Sequence, residues 1–116
     1  MKVAETEVRI PMRLHEDLKT RFMEAGDAYA KRLFKERGGT SEWVMTVLAK
    51  AIQDERKVDL TRFPILDAPR AESFEFRCSK LFRATCKKAA GKAGMTVSTW
   101  IQAQLLTELE MAKRSR

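Results

Sequence analysis

Two short alternating stretches hold the residues best equipped for chemistry. In EVRIPMRL, residues 7–14, Arg9, Pro11 and Arg13 share one face, while Val8, Ile10, Met12 and Leu14 share the other. In SFEFRC, residues 73–78, Ser73, Glu75 and Arg77 alternate with Phe74, Phe76 and Cys78. A period of two is that of a half-buried strand, whose successive side chains point to opposite faces. The polar sets are equipped for hydrogen bonding: arginine presents a planar fork of donors, and a carboxylate accepts. The apparatus of bond breaking is missing. The chain has no paired carboxylates, metal-ligand cluster, nucleophile motif or glycine-rich phosphate loop, and its one histidine, His15, has no catalytic partners around it. We expect no enzyme activity, no metal and no cofactor.

Composition points to the kind of partner. The 23 Lys and Arg residues exceed the 16 Asp and Glu, giving +7 and a pI near 9.7. That balance favours a polyanion, nucleic acid before an anionic membrane surface. No apolar run approaches the roughly 20 residues that span a bilayer, and MKVAETEVRI lacks the apolar core of a signal peptide. Cys78 and Cys86 are too few for a disulfide framework or a zinc site. The expectation is a reduced, cytoplasmic protein with no membrane partner. At 116 residues and 44% hydrophobic content, the chain is one ordinary domain or two very small ones that share a core.

The elements that position the alternating stretches come twice. Residues 15–39 read as a helix opened by His15, Glu16 and Asp17, with Leu18, Phe22, Ala25, Tyr29 and Leu33 on one face, and closed by Gly38 and Gly39. Gly26 inside it marks a break or a kink. TSEWVMTVLAKAIQDERK, residues 40–57, is a second helix capped by Thr40 or Ser41, burying Trp43, Val44, Val47, Leu48, Ala51 and Ile52. Residues 58–72 carry two prolines and no sustained period, so they form a linker packed through Phe63, Ile65 and Leu66. After the second alternating stretch, residues 79–94 form a helix capped by Ser79, stopped by Gly94, with Leu81, Phe82, Thr85, Cys86, Ala89 and Ala90 inward. The closing helix, residues 95–113, is capped by Thr96 or Ser98 and buries Val97, Trp100, Ile101, Leu105 and Leu109. TSEWVMTVLA and VSTWIQAQLL each place Ser two residues before Trp, so the second helices open alike. The chain divides into a strand–helix–helix copy at 1–57, a linker at 58–72 and a second copy at 73–116. The fold class expected is mainly α with one two-stranded antiparallel ribbon. A lone strand needs a partner for its backbone groups, and each copy supplies the other's. Pairing between two chains, giving a swapped dimer, is the other arrangement the pattern allows.

FEFRCSKLFRATCKKAAGKAGMTVSTWIQAQLL, and IPMRLHEDLKTRF followed by GGTSEWVMTVL, resemble the ribbon-helix-helix DNA-binding family of the Arc and MetJ type. With two copies in one chain, the layout is similar to that of tandem accessory proteins of conjugative plasmid relaxosomes. The resemblance implies a single-chain pseudo-dimer that inserts its ribbon into the major groove of double-stranded DNA. It implies that Arg9, Pro11, Arg13, Ser73, Glu75 and Arg77 read bases. It implies that Thr40 and Ser41, and Thr96, Val97 and Ser98, hold phosphates at the starts of the second helices, where free amides and the helix dipole favour anions. Pro11 departs from the family pattern, offering only apolar contact, and Glu75 needs a donor to sit near phosphates. Lys2, Lys80, Lys87, Lys88, Lys92 and the KRSR tail add sequence-independent attraction. The resemblance implies a transcriptional repressor or a relaxosome accessory factor, acting as a monomer or as a higher-order assembly on DNA. A protein-interaction module of antitoxin or scaffold type, using the longer first helix, is the alternative.

Overall fold

The structure, a computed structural model, describes residues 7–33 and 39–114; Lys2, Gly38 and the end of the KRSR tail lie outside them. Strand β1 (Glu7–Leu14) leads to helix α1 (Glu16–Arg32) and helix α2 (Thr40–Gln53). Two 3-10 turns, Leu60–Arg62 and Pro64–Asp67, precede β2 (Glu72–Ser79), α3 (Lys80–Lys92) and α4 (Val97–Arg114). The protein is mainly helical, with four helices and one two-stranded antiparallel sheet. The strands pair within the chain, with Pro11 opposite Glu75, Arg9 opposite Arg77 and Arg13 opposite Ser73.

Alternation decides the two faces of this ribbon. Ile10, Met12, Leu14, Phe74, Phe76 and Cys78 are buried in one core together with residues from all four helices, with Val8 and Glu72 half-buried toward the ends of the same face, while the residues between them are exposed. Phe22 of α1 joins the layers: its ring lies 6.0 Å from Trp43 of α2 and 5.9 Å, edge-on, from Phe74 of β2. Such pairs add about 0.5–1.5 kcal/mol beyond the area they bury. Trp43 and Trp100 are both core residues.

Backbone polarity explains how Pro11 fits inside a strand. The Arg77 N–H donates outward to Ser41 Oγ, and the Arg13 carbonyl accepts from Gln102 Nε2. In an antiparallel ladder such residues belong to the pairs that do not bond each other. Pro11 shares their parity, so its nitrogen faces the outer edge and its missing N–H costs no ladder bond.

The structure corrects four local expectations. Helix α1 runs unbroken through Gly26, which is there for space. A Cβ at Gly26 would lie 2.4 Å from Thr40 Oγ1 and 2.6 Å from Thr40 Cα, so the missing side chain lets α2 begin against α1. The cap of α2 is neither Thr40 nor Ser41 but Gly39, with φ of 98° and no side-chain bond. Gly39 also packs closely: a Cβ there would sit 2.6 Å from the Gly26 carbonyl oxygen. Leu81, expected inward, is 78% exposed. Once Ser79 caps α3 by accepting from the Phe82 N–H at 3.0 Å, the inward stripe is Phe82, Cys86 and Ala90, each four residues apart, and Leu81 falls 100° off it. Leu33, at the end of α1, is likewise exposed.

Helix α4 is more deeply embedded than its apolar spacing implies, with Trp100 to Leu106 buried without interruption. Two of these residues are glutamines. Gln104 is satisfied by Arg56, just beyond the end of α2: its Oε1 accepts from Arg56 Nε at 2.7 Å, and its Nε2 donates to the Arg56 carbonyl at 2.9 Å. Arg56 also donates to the Gln104 carbonyl and pairs with Glu108 at 3.0 Å. Arg70 adds a second tie, donating to the Leu66 carbonyl at 2.8 Å and reaching Thr99 Oγ1 at 3.4 Å. These bonds hold the connecting segment against α4. Among the described residues, no helix is long and apolar enough to cross a membrane.

Candidate nucleic-acid interface

All six ribbon residues singled out from the sequence, Arg9, Pro11, Arg13, Ser73, Glu75 and Arg77, lie exposed on the face turned away from the core. Their register is symmetric about the Pro11–Glu75 pair, but their chemistry is not. Arg9 Nη1 lies 3.0 Å from Glu75 Oε2, with side chains 65% and 48% exposed. A pair this wet contributes about 1 kcal/mol at most, yet it gives Glu75 the donor it needs. Arg13 Nη1 donates to the Ala71 carbonyl at 2.9 Å, which lays its guanidinium along the end of β2. The Arg77 guanidinium makes no ion pair or hydrogen bond among the described residues. The exposed face thus presents one unengaged arginine, one anchored arginine and one arginine engaged by a carboxylate.

The starts of the second helices sit beside this face through specific bonds. In α2, Ser41 Oγ accepts from the Arg77 N–H at 3.2 Å, and the half-buried Thr40 lies against Gly26. In α4, exposed Thr96 caps the helix, its Oγ1 accepting from the Thr99 N–H at 3.2 Å. Half-buried Ser98 Oγ accepts from Gln102 Nε2 at 3.0 Å, and the same amide donates to the Arg13 carbonyl at 3.1 Å. Val97, also half-buried, opens α4. The first turn of each second helix is therefore tied to the strand of the other half, α2 to β2 and α4 to β1. The exposed ribbon arginines and the helix-start amides are thereby held in a fixed relation to one another. The first amides of a helix lack intrahelical acceptors and carry the positive end of its dipole, so both starts present anion-binding groups next to the ribbon.

Gln102 is the residue that sequence reasoning missed. It lies in an apolar stripe, is fully buried, and its Oε1 makes no hydrogen bond. The available signal was a glutamine four residues after Ser98 on a face otherwise filled by Trp100, Ile101 and Leu105. His15 is a cap: its Nδ1 accepts from the Asp17 N–H at 3.0 Å.

The two thiols are free and buried. Burial pushes the Cys86 thiol up to about 12, with Cys78 adding to the shift, and burial also raises Cys78. Both are therefore protonated, unreactive core groups at neutral pH. Among the described residues, no group of three or more His, Cys, Asp or Glu is placed to hold a metal. No family model, no curated protein and no solved structure matches this chain.

Proposed function

We propose that this chain is a tandem ribbon-helix-helix protein, two copies folded as a single-chain pseudo-dimer, that binds a specific double-stranded DNA site through its ribbon. The observation that carries this reading is the in-register set of six polar-face residues on an exposed two-stranded ribbon whose other face is core. A ribbon of this width fits the major groove, where each base pair presents a distinct pattern of donors and acceptors. Arg77 and Arg13 would bond the two acceptors of guanine, Glu75 would accept from cytosine N4, and Pro11 would touch a thymine methyl. Arg9 would trade its exposed bond to Glu75 for base or phosphate contacts, and Ser73 would bond either. Thr40, Ser41, Thr96, Val97 and Ser98 would hold phosphates on both sides through main-chain amides. Because the copies differ, the site read would be asymmetric. The role is that of a transcriptional repressor or of a relaxosome accessory factor, in a reducing cytoplasm that suits two unpaired buried thiols.

The test is a titration against duplexes from the gene's own neighbourhood at two salt concentrations, beside an Arg13→Ala/Arg77→Ala variant. Tight binding to one duplex that survives the higher salt and is lost in the variant is the expected result. Weak binding to every duplex that vanishes with salt and ignores the variant would replace this reading with a protein-interaction role.

A further inference from the structure

The positive charge of this protein is not evenly placed. Residues 73–116 carry nine Lys and Arg against three Asp and Glu, whereas residues 1–57 carry twelve against ten. The contrast is sharpest between the two first helices. Helix α1 holds four acidic and four basic residues, but α3, KLFRATCKKAAGK, holds five basic residues and no acidic one. Lys80, Lys87, Lys88 and Lys92 are exposed, Arg83 is half-buried, and none of the five forms an ion pair among the described residues. At 100° per residue Lys80, Lys87, Lys88 and Lys92 fall within an arc of about 140° on the outer side of the helix, away from Cys86 and Ala90, and Arg83 borders that arc beside Ala90.

Small residues line the middle of that basic face. Ala84 and Gly91 are exposed there, and a Cβ added at Gly91 would meet nothing within 4 Å. A helical glycine costs about 1 kcal/mol relative to alanine, and no packing contact accounts for this one. Its place among lysines leaves the helix backbone open to a close-lying partner. The position of α3 in the fold names that partner. The helix begins directly after its cap Ser79, the last residue of β2, and ends at the turn that leads into Thr96 and the start of α4. Its two ends thus abut the two elements proposed above to touch DNA, about 20 Å apart along the helix.

We infer that the outer face of α3 is a one-sided phosphate-binding surface that extends the duplex contact beyond the ribbon on the side of the second copy. The inference rests on the DNA-binding reading and adds a direction to it: most of the counterion release comes from one flank of the site. Each phosphate neutralised contributes roughly 0.9 to the slope of log affinity against log salt. A Lys87→Ala/Lys88→Ala/Lys92→Ala variant should therefore lower that slope by about 2 to 3. An Arg21→Ala/Lys31→Ala/Arg32→Ala variant, which removes equal charge from α1, should leave it nearly unchanged. Trimming base pairs from one flank of the bound duplex should weaken the wild type and not the α3 variant. Gly91→Glu provides a second variant whose fold is safe, since its side chain enters open space, and it should weaken binding in the same direction.

Equal slopes for the α1 and α3 variants, or an unchanged slope in the α3 variant, overturns the inference. If Arg13→Ala/Arg77→Ala still abolishes specific binding in that case, the ribbon reading stands without it. If no duplex is preferred, the ribbon reading fails, and the same slopes measured on a random duplex still decide the role of α3. Loss of binding to phosphatidylglycerol vesicles in the α3 variant, with duplex binding unaffected, assigns the surface to membranes and also overturns the inference.

Discussion

The two strand–helix–helix halves solve the same packing problem in different ways. In the first half, the junction of α1 and α2 is closed: Gly26 and Gly39 remove side chains so that Thr40 and Ala30 can come into contact with backbone. In the second half, the junction of α3 and α4 is open, with Gly91 and Gly94 facing empty space and Thr96 exposed at the start of α4. The inward residues follow suit. Counting from each helix start, Phe22 of α1 corresponds to Cys86 of α3, and Gly26 to Ala90. One half uses a large ring with a glycine one turn later, the other a thiol and a methyl group. The difference teaches that similar element order does not fix where a fold keeps its stability. The first half closes the junction of its two helices, and the second leaves its junction open while burying α4 in the common core.

The largest test of this contrast is at the paired inward positions. Phe22→Ala should destabilise the protein by about 4 kcal/mol, because it removes both ring contacts and leaves a cavity. Cys86→Ala deletes one sulfur and should cost about 1 kcal/mol. Chemical denaturation midpoints would measure both, and similar losses would remove the asymmetry. The next test compares two glycines. Gly26→Ala forces its Cβ into Thr40 and should cost about 3 kcal/mol. Gly91→Ala meets nothing and should stabilise the fold by up to about 1 kcal/mol, a change of opposite sign in the melting temperature. The smallest effect at neutral pH is that of the thiols, which only the second half carries. The folded-state value of Cys86 is raised from 9.0 to about 12, so the folded protein keeps its proton longer than the unfolded chain. That contribution is fully present below pH 9 and is lost as pH climbs from 9 toward 12. Unfolding at alkaline pH should become less steep in pH when Cys86 is replaced by alanine, and native thiols should resist alkylation at pH 8.

The order of elements was legible because it depends on periodicity, and periodicity is local. Alternation in EVRIPMRL and SFEFRC, and three-to-four spacing in the helices, required no knowledge of what lay opposite. The glycine contacts were not legible in this way. Gly26 reads as a helix breaker until Thr40, fourteen residues on, is brought against it. The buried glutamines were hidden for the same reason: Gln104 is tolerable inside α4 only because Arg56, distant in the chain, reaches it. Leu81 misled because, beside a helix start, a shift of one residue turns an inward position outward. In the candidate site, the outward placement of the six ribbon residues followed from alternation alone. The bonds from Ser41 and Gln102 that lock helix starts to strands could not be read without the pairing register.

A sheet of two strands is all edge, and edges invite further strands from other chains. Here the outward-pointing backbone groups of Arg9, Pro11 and Arg13 form one rim, and those of Ser73, Glu75 and Arg77 form the other. On the first rim Pro11 offers no donor at its centre, and the Arg13 carbonyl is occupied by Gln102. On the second, the Arg77 N–H is occupied by Ser41. An incoming strand would find an interrupted ladder on both sides. The residue that looked least suited to a strand, Pro11, thus helps keep the ribbon from seeding intermolecular sheets, so that it stays two strands wide.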